Sequence, residues 1–391
     1  MVTAGANAGV LLVGAYTLTA TAFGMFAAAS FAILLVGRFV TFGCEHAFMR
    51  LCTLPAHVHE QGALLGAALL VPAILFALVV LAALGTFWAI EPVFRAPVAA
   101  TLAASAAWAA AELAYWILLA RNHPAGALAA QSGSAVIRLV IVTMVAFRWP
   151  ALDPLLLAWA ASGLVSGALA IVAAGRGAQL PNLALVLELV RYARWQGLAQ
   201  VLSSFAGQQA ILMLLLLGGQ ATEAGKFSLA LSLMFGVFFI HAGWFEQLSA
   251  EISERQLLSA RRFIAAAMRR TAVLCLLCAA ILLIEYLLVP LVLSNTLWSN
   301  GSVFVPLSLA TLILLLNIPL EALLHARLTP RAIFDSRLIR ILLVAILGFP
   351  IALYGTAEQM GWLQVLAALA SFIYLAVRIR RSIAADEAGL V

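Results

Sequence analysis

The sequence GALLGAALLVPAILFALVVLAALG, residues 62–85, contains no charged and no polar side chain. A helix of that length covers the roughly 30 Å of hydrocarbon in a bilayer. Similar apolar runs recur along all 391 residues, of which 65% are hydrophobic and 10% charged, whereas roughly a quarter of the residues are charged in a soluble domain. The runs lack the period-two alternation of a membrane barrel, and lipid offers the backbone no hydrogen bonds. We therefore predict an all-α, polytopic membrane protein.

Twelve apolar segments have the length and composition of membrane spans. The first six lie at 4–21, 25–43, 62–85, 97–120, 126–147 and 154–174, and the second six at 195–218, 224–244, 271–293, 303–323, 338–354 and 361–377. The resulting domains are an N-terminal six-helix bundle (1–174), an amphipathic cytoplasmic linker (175–194) and a C-terminal six-helix bundle with a basic tail (195–391).

The basic residues predict the orientation of the chain in the membrane. Lys226 and Arg340, at the ends of their spans, are assigned to the nearest connection. Seventeen of the 22 Lys and Arg residues then fall in the even-numbered connections and the C-terminal tail, and three in the odd-numbered connections. Because cytoplasmic loops are enriched in Lys and Arg, both termini are predicted to be cytoplasmic, in a cell (inner) membrane. The net charge of +6 is thus explained by topology, and no nucleic-acid partner is expected.

The two halves show a weak internal repeat at an offset of 201 residues. The segment GMFAAA, 24–29, aligns with GKFSLA, 225–230, at the same place before the second span of each half. The same offset aligns Asn7 with Gln208 and Glu45 with Glu246. Six spans separate the copies, so both start from the same side of the membrane. The repeats are therefore predicted to be parallel, with substrate passing between the halves.

The stretch that opens the second half carries a family resemblance. Residues 188–199, ELVRYARWQGLA, lead into Gln208-Gln209 and then into Gly218-Gly219 and the repeat segment. This order resembles the polysaccharide and O-antigen flippases, a branch of the multidrug/oligosaccharidyl-lipid/polysaccharide exporter superfamily. The resemblance covers the whole chain, with motifs of low specificity.

The resemblance implies a transporter, not an enzyme, that works by alternating access between two six-helix bundles. Its substrate would be a polyprenyl-diphosphate-linked oligosaccharide flipped for cell-surface polysaccharide assembly. It also implies contact with a polysaccharide polymerase and with glycosyltransferases, and it implies no cofactor. The peptidoglycan-precursor flippases of the superfamily have two further helices, which makes that assignment weaker.

Three charged residues inside first-half spans are candidates for binding the diphosphate: Arg38, Arg138 and Glu112. A charge inside a span costs roughly 2.5–3.5 kcal/mol and needs a partner or a water-filled cavity. Guanidinium groups match phosphate oxygens bidentately, with Glu112 neutralising one arginine when the cavity is empty. Alternatively, Arg138 and Glu112 form a permanent structural ion pair while Arg38 reaches the inner surface.

Other polar residues in the spans have weaker assignments. Glu285 and Glu321 have no basic residue at matching depth and are candidates for coupling transport to protonation, although a neutral buried carboxyl is the simpler interpretation. Four amide residues are candidates to line the cavity or to join helices: Asn7, Gln200, Gln208 and Gln209. The Cys and His residues around the second and third spans fit no metal-binding spacing, so no metal is expected.

Several rival functions stay open. A drug exporter of the same superfamily has the same span count, and so does a major facilitator, but residues 44–53, CEHAFMRLCT, lack the basic loop motif of the facilitators. A membrane-embedded glycan-processing enzyme usually has a large outward loop with acidic or histidine residues, and the outward connections here are short. A non-transporting subunit of a biosynthetic complex is the remaining alternative.

Overall fold

Helices account for nearly all of the described chain, and no β-strand occurs in it. The structure is a computed structural model that describes residues 2–52, 59–87, 92–254, 260–292, 301–326 and 330–387. The first nine helical segments are α1 (Val2–Thr17), α2 (Ala20–Thr41), α3 (Cys44–Leu51), α4 (Gln61–Phe87), α5 (Pro92–Ala120), α6 (Pro124–Leu128), a π-helical turn (Ala129–Gly133), α7 (Ser134–Arg148) and α8 (Leu152–Ala174). They are followed by α9 (Leu183–Leu216), α10 (Ala221–Leu233), α11 (Phe235–Glu254), α12 (Ala260–Val292), α13 (Phe304–Ala326), α14 (Pro330–Tyr354) and α15 (Ala357–Glu387).

Each predicted span coincides with helical structure, which confirms the all-α membrane fold. Nine helical segments of the described residues are long and apolar enough to cross a membrane, and α10 with α11 forms a bent pair that would be a tenth. The predicted first and seventh spans fall on α1 and α9. Large apolar side chains such as Leu169, Leu276 and Leu291 are at least 70% exposed, as expected where lipid is the solvent.

The chain separates into two compact units, Met1–Phe205 and Ala206–Val391. The boundary lies inside α9, which is continuous from the predicted linker at 175–194 into the predicted seventh span. The last residues of that linker are therefore the first turns of a long helix. The assignment of 175–194 to a separate cytoplasmic segment remains a prediction.

In unit 1, small residues let α5 pack closely against α8 and α2. A methyl group on Gly167 would lie 2.8 Å from the Ala107 carbonyl oxygen, and one on Gly37 would lie 2.2 Å from the Trp108 ring. Close packing through small residues is the usual basis of helix association in membranes, where lipid supplies little hydrophobic drive. These contacts set the positions of α2, α5 and α8 around the site described below.

The break between α2 and α3 fixes the end of the second span. Phe42 and Gly43 both adopt left-handed backbone conformations, with φ of 44° and 75°. Gly43 faces α9, and a methyl group on Gly43 would lie 2.7 Å from the Gly197 nitrogen. A methyl group on Gly197 would lie 2.4 Å from the Phe42 oxygen. Two glycines thus allow this turn and α9 to meet at backbone distance.

In unit 2, α13 packs against α15, α12 and α11, and α14 packs against α15. Buried polar side chains join some of these helices: the Asn317 amide donates to the Ser371 hydroxyl at 3.3 Å, and the Trp244 indole donates to the Thr271 hydroxyl at 2.8 Å. Such bonds satisfy polar groups that lipid would leave unpaired.

Candidate functional site

An ion pair between α2 and α5 forms one side of the candidate site in unit 1. Arg38 lies in the last turn of α2, and its Nη1 is 3.2 Å from Oε1 of Glu112 on α5. The Arg38 side chain is 26% exposed and that of Glu112 is 11% exposed. The Arg38 guanidinium also lies 4.8 Å from the Trp108 ring centroid, a cation–π distance.

Glu112 is further held by two hydrogen-bond donors. The Trp116 indole, one turn later on α5, donates to Oε1 at 3.1 Å, and the Gln131 amide donates to Oε2 at 3.4 Å. Gln131 belongs to the π-helical turn at Ala129–Gly133. Single π-helical turns inside α-helices occur often at functional sites. Here the turn carries the amide that faces Glu112.

Glu45, at the start of α3, is a member of this cluster that sequence reasoning did not select. Its side chain is 0% exposed, and its Oε1 is 3.8 Å from Nη1 of Arg38. Neither carboxylate oxygen accepts a hydrogen bond of normal geometry from the described residues, although the Gln200 side chain is close enough to attract the carboxylate. Arg38 is thus shared by two carboxyl groups. A signal was present, because Glu45 lies two residues after Gly43 at the end of a span, but in the sequence Glu45 was considered only as a repeat position.

Arg138, on α7, lies apart from that ion pair. The residue is 5% exposed, and its Nη2 donates a hydrogen bond to Oδ1 of Asn7 on α1. Its guanidinium carbon lies 5.2 Å from the Trp159 ring centroid, and its Nε is buried without an acceptor among the described residues. No carboxylate pairs with Arg138 in the described part of the chain, so its charge is balanced only by an amide and an indole face.

A small cavity of about 20 Å³, with room for about one water molecule, is bordered by both Glu112 and Arg138. Its lining combines small residues of α5 and α8 with indole rings and polar side chains: Ala104, Ala107, Trp108, Ala111, Glu112, Gln131, Ser134, Arg138, Trp159, Gly163 and Ser166. One cationic and one anionic side chain therefore face the same space. Such a lining offers a ligand both a positive and a negative group beside polar and aromatic side chains.

The structure corrects the alternative in which Arg138 and Glu112 form a permanent ion pair. Glu112 pairs with Arg38 instead, and Arg138 bonds to Asn7. Arg38 is turned towards Glu112 and Glu45 and does not simply extend to the inner surface. The depth of each residue in the membrane, judged from its position in a predicted span, could not decide the pairing. Depth does not reveal which neighbouring helix a side chain faces.

The four predicted amide residues have different environments. Asn7 binds Arg138 but does not line the cavity. Gln200 has a buried side-chain oxygen without a donor in the described residues. Gln208 and Gln209 lie in unit 2, where the Gln209 amide donates to the Ile341 carbonyl at 3.3 Å. The Gln209 contact joins two helices. Contacts of the four amide residues with a sugar remain predictions.

The two predicted coupling carboxylates also differ. Glu285, on α12, has one buried oxygen without a hydrogen-bond partner in the described residues. The expectation that Glu321 lacks a basic neighbour was wrong, because its Oε2 lies 3.7 Å from Nη2 of Arg337. Arg337 is assigned to a connection by its sequence position, but α14 starts at Pro330 and carries it alongside α13. A coupling role for either carboxylate remains a prediction.

Comparison with solved structures shows that the chain shares the fold of transporters. An inward-facing multidrug resistance MATE family transporter of the MOP superfamily matches with a TM-score of 0.71 and 14% identity, over 97% of this chain and 94% of that one. The lipid II flippase MurJ in an inward closed conformation matches with a TM-score of 0.68 and 12% identity, over 96% of this chain and 85% of that one.

A third structure, an outward-facing MATE family transporter of the same superfamily, matches with a TM-score of 0.64 and 13% identity, over 98% and 93% of the two chains. No protein-family model and no curated protein matches the sequence. At these identities the similarity establishes the fold that drug exporters and a lipid flippase share. It does not identify the substrate of this chain.

Proposed function

We propose that this protein flips a polyprenyl-diphosphate-linked oligosaccharide across the cell (inner) membrane by alternating access, for assembly of a surface polysaccharide. The observation that carries the proposal is Arg138, a buried guanidinium that faces a cavity of a membrane-spanning unit and has no carboxylate partner in the described residues. An unpaired charge in a span requires compensation, and the phosphate oxygens of a substrate would supply it.

In an open state of the transport cycle, the other residues that line the cavity would contact an anionic headgroup that is followed by polar sugar. Gln131, Ser134 and Ser166 offer hydrogen-bonding groups for hydroxyls, and Trp108 and Trp159 offer flat apolar faces. In this proposal the Arg38–Glu112 pair holds the wall of the cavity, and Arg138 contacts the diphosphate. No step makes or breaks a covalent bond, so the protein acts as a transporter and not as an enzyme.

A multidrug exporter is the second candidate, and one feature of the same cavity favours it. Glu112 faces the cavity with the indole rings of Trp108 and Trp159 in its lining. Carboxylates and indole faces are the groups that bind organic cations. The two candidates differ in the sign of the substrate charge and hence in the residue that contacts the substrate.

Lipid analysis of cells that lack the protein separates the candidates. We expect polyprenyl-diphosphate oligosaccharide to accumulate in the organic extract, with loss of surface polymer, and wild-type protein to reverse both effects. The Arg138→Ala variant should restore less than a tenth of the flux, since loss of a charge-assisted contact worth at least about 1.4 kcal/mol is tenfold. The exposed Arg148 on the same helix provides the control, and Arg148→Ala should restore normal flux.

Variant abundance in the membrane fraction shows whether each protein inserts. An Arg138→Ala protein that inserts and transports normally would refute the role of Arg138. An unchanged lipid-linked pool, together with impaired efflux of a cationic dye, would favour the exporter. If Arg138→Ala fails to insert, Arg138→Lys tests the role, because it keeps the charge but cannot bind phosphate bidentately.

A further inference from the structure

Unit 2 contains two arginines one turn apart on α14. Arg337 and Arg340 are three residues apart and therefore lie on neighbouring positions of one helix face. Arg337 pairs with Glu321 of α13, with Nη2 and Oε2 3.7 Å apart. The carboxyl group of Glu321 also attracts Arg340 electrostatically, so one carboxylate interacts with two guanidinium groups.

Arg340 has no acidic partner of its own. Its Nε is buried and finds no acceptor among the described residues. His241, on α11, is within electrostatic range of both Arg337 and Arg340. Two guanidinium groups therefore share a single carboxyl group, and the pair of arginines leaves one positive charge in excess.

A buried arginine Nε without an acceptor also occurs in the described part of unit 1, at Arg138. The repeat offset of 201 residues places Arg138 one position before Arg340, and the two residues belong to the fifth and eleventh predicted spans. The ion pairs differ, because Glu321 of the Arg337–Glu321 pair attracts Arg340, whereas Arg138 lies apart from the Arg38–Glu112 pair. Each unit nevertheless contains an arginine whose Nε is buried without an acceptor among the described residues.

An amide residue on the first span of each half extends the correspondence. Arg138 donates to Asn7, whose repeat position is Gln208. In unit 2, α9 is joined to α14 beside Arg340, because the Gln209 amide donates to the carbonyl of Ile341. The side-chain oxygen of Gln208 is buried without a donor, just as Nε of Arg340 is buried without an acceptor.

We propose that unit 2 contains a second anion-binding site, centred on Arg340 with Arg337 and His241 beside it, and that its ligand is a phosphate group. A guanidinium fork binds phosphate oxygens bidentately, and a phosphate would neutralise the charge that Glu321 leaves unbalanced. The choice of phosphate rests on the proposed function, whereas the existence of an anion site rests on the charges of unit 2. Each unit would then bind a phosphate group independently.

The test is a binding stoichiometry measured on the full chain in phosphatidylcholine nanodiscs. Farnesyl diphosphate is the lipid probe and inorganic pyrophosphate is the free probe. We expect two equivalents of farnesyl diphosphate per wild-type chain and one for Arg340→Gln, with the affinity of the lost site reduced at least tenfold. Arg138→Gln should also retain one equivalent, and Arg380→Gln, an exposed position on α15, should retain two. Pyrophosphate binding at the Arg340 site would indicate a free anion, and its absence would indicate a lipid headgroup.

The outcomes separate this inference from the proposed function. Two equivalents with Arg340→Gln, or a single wild-type site that depends only on Arg138, would overturn the second site and leave the proposed function intact. A single site that depends only on Arg340 would support the second site and reject the role of Arg138. No binding of either probe to the wild-type chain would reject both. If Arg340→Gln does not fold, Arg340→Lys must weaken one site at least threefold without changing the other.

Discussion

The ion pair between Arg38 and Glu112 gives a quantitative test of the site in unit 1. The two side chains meet at 3.2 Å and are 26% and 11% exposed, so water only partly screens their attraction. Hydrogen bonds to charged groups contribute about 1.5–3 kcal/mol. Glu45 lies 3.8 Å from Arg38, and we expect it to recover part of that attraction when Glu112 is replaced. We therefore expect a coupling free energy of about 2 kcal/mol between Arg38→Gln and Glu112→Gln.

A double-mutant cycle measures this coupling, with the free energy of unfolding followed by far-UV circular dichroism in mixed micelles. Asp153, an exposed residue in the first turn of α8, supplies the control. Arg38→Gln combined with Asp153→Asn should be additive within about 0.5 kcal/mol. If the Arg38–Glu112 cycle is additive to the same extent, then the ion pair does not stabilise the wall of the cavity and the assignment of Glu112 to Arg38 is refuted.

Two further predictions concern neighbouring positions. Gly167→Ala should lower the free energy of unfolding by about 1 kcal/mol, because a methyl group 2.8 Å from the Ala107 oxygen costs more by overpacking than alanine gains in helix propensity. Gly85 has open space around it, so Gly85→Ala should not lower the free energy of unfolding. Equal effects at both glycines would contradict the packing argument. Glu45→Gln should lower the free energy of unfolding less than Glu112→Gln in the same assay, since the Glu45 oxygens accept no hydrogen bond of normal geometry in the described structure. A larger loss for Glu45→Gln would contradict this prediction.

Much of the fold could be predicted because the bilayer imposes length and polarity on every span. The apolar run at 62–85 becomes α4, and the left-handed Gly43 stands where the second span was predicted to end. The connections are harder, since no bilayer restricts them. The predicted linker at 175–194 is partly the start of α9, and the short amphipathic α3 was not predicted.

The sequence identified three charged residues of the candidate site but not their contacts. Arg38, Glu112 and Arg138 were selected because charges inside spans are costly, and two of them line the cavity. Their pairing depends on rotation of the helices about their axes, which composition does not encode. Gln131 reaches Glu112 from a π-helical turn, and that turn has no reliable sequence signal.

The crossing of the α2–α3 turn with α9 has a consequence for how the sequence can change over time. Gly43 and Gly197 meet backbone to backbone, and each is already the smallest residue. A mutation that enlarges one glycine cannot be compensated by a smaller residue at the other. No substitution at one glycine can therefore compensate for a larger residue at the other, and the two positions restrict each other's evolution although neither has a side chain.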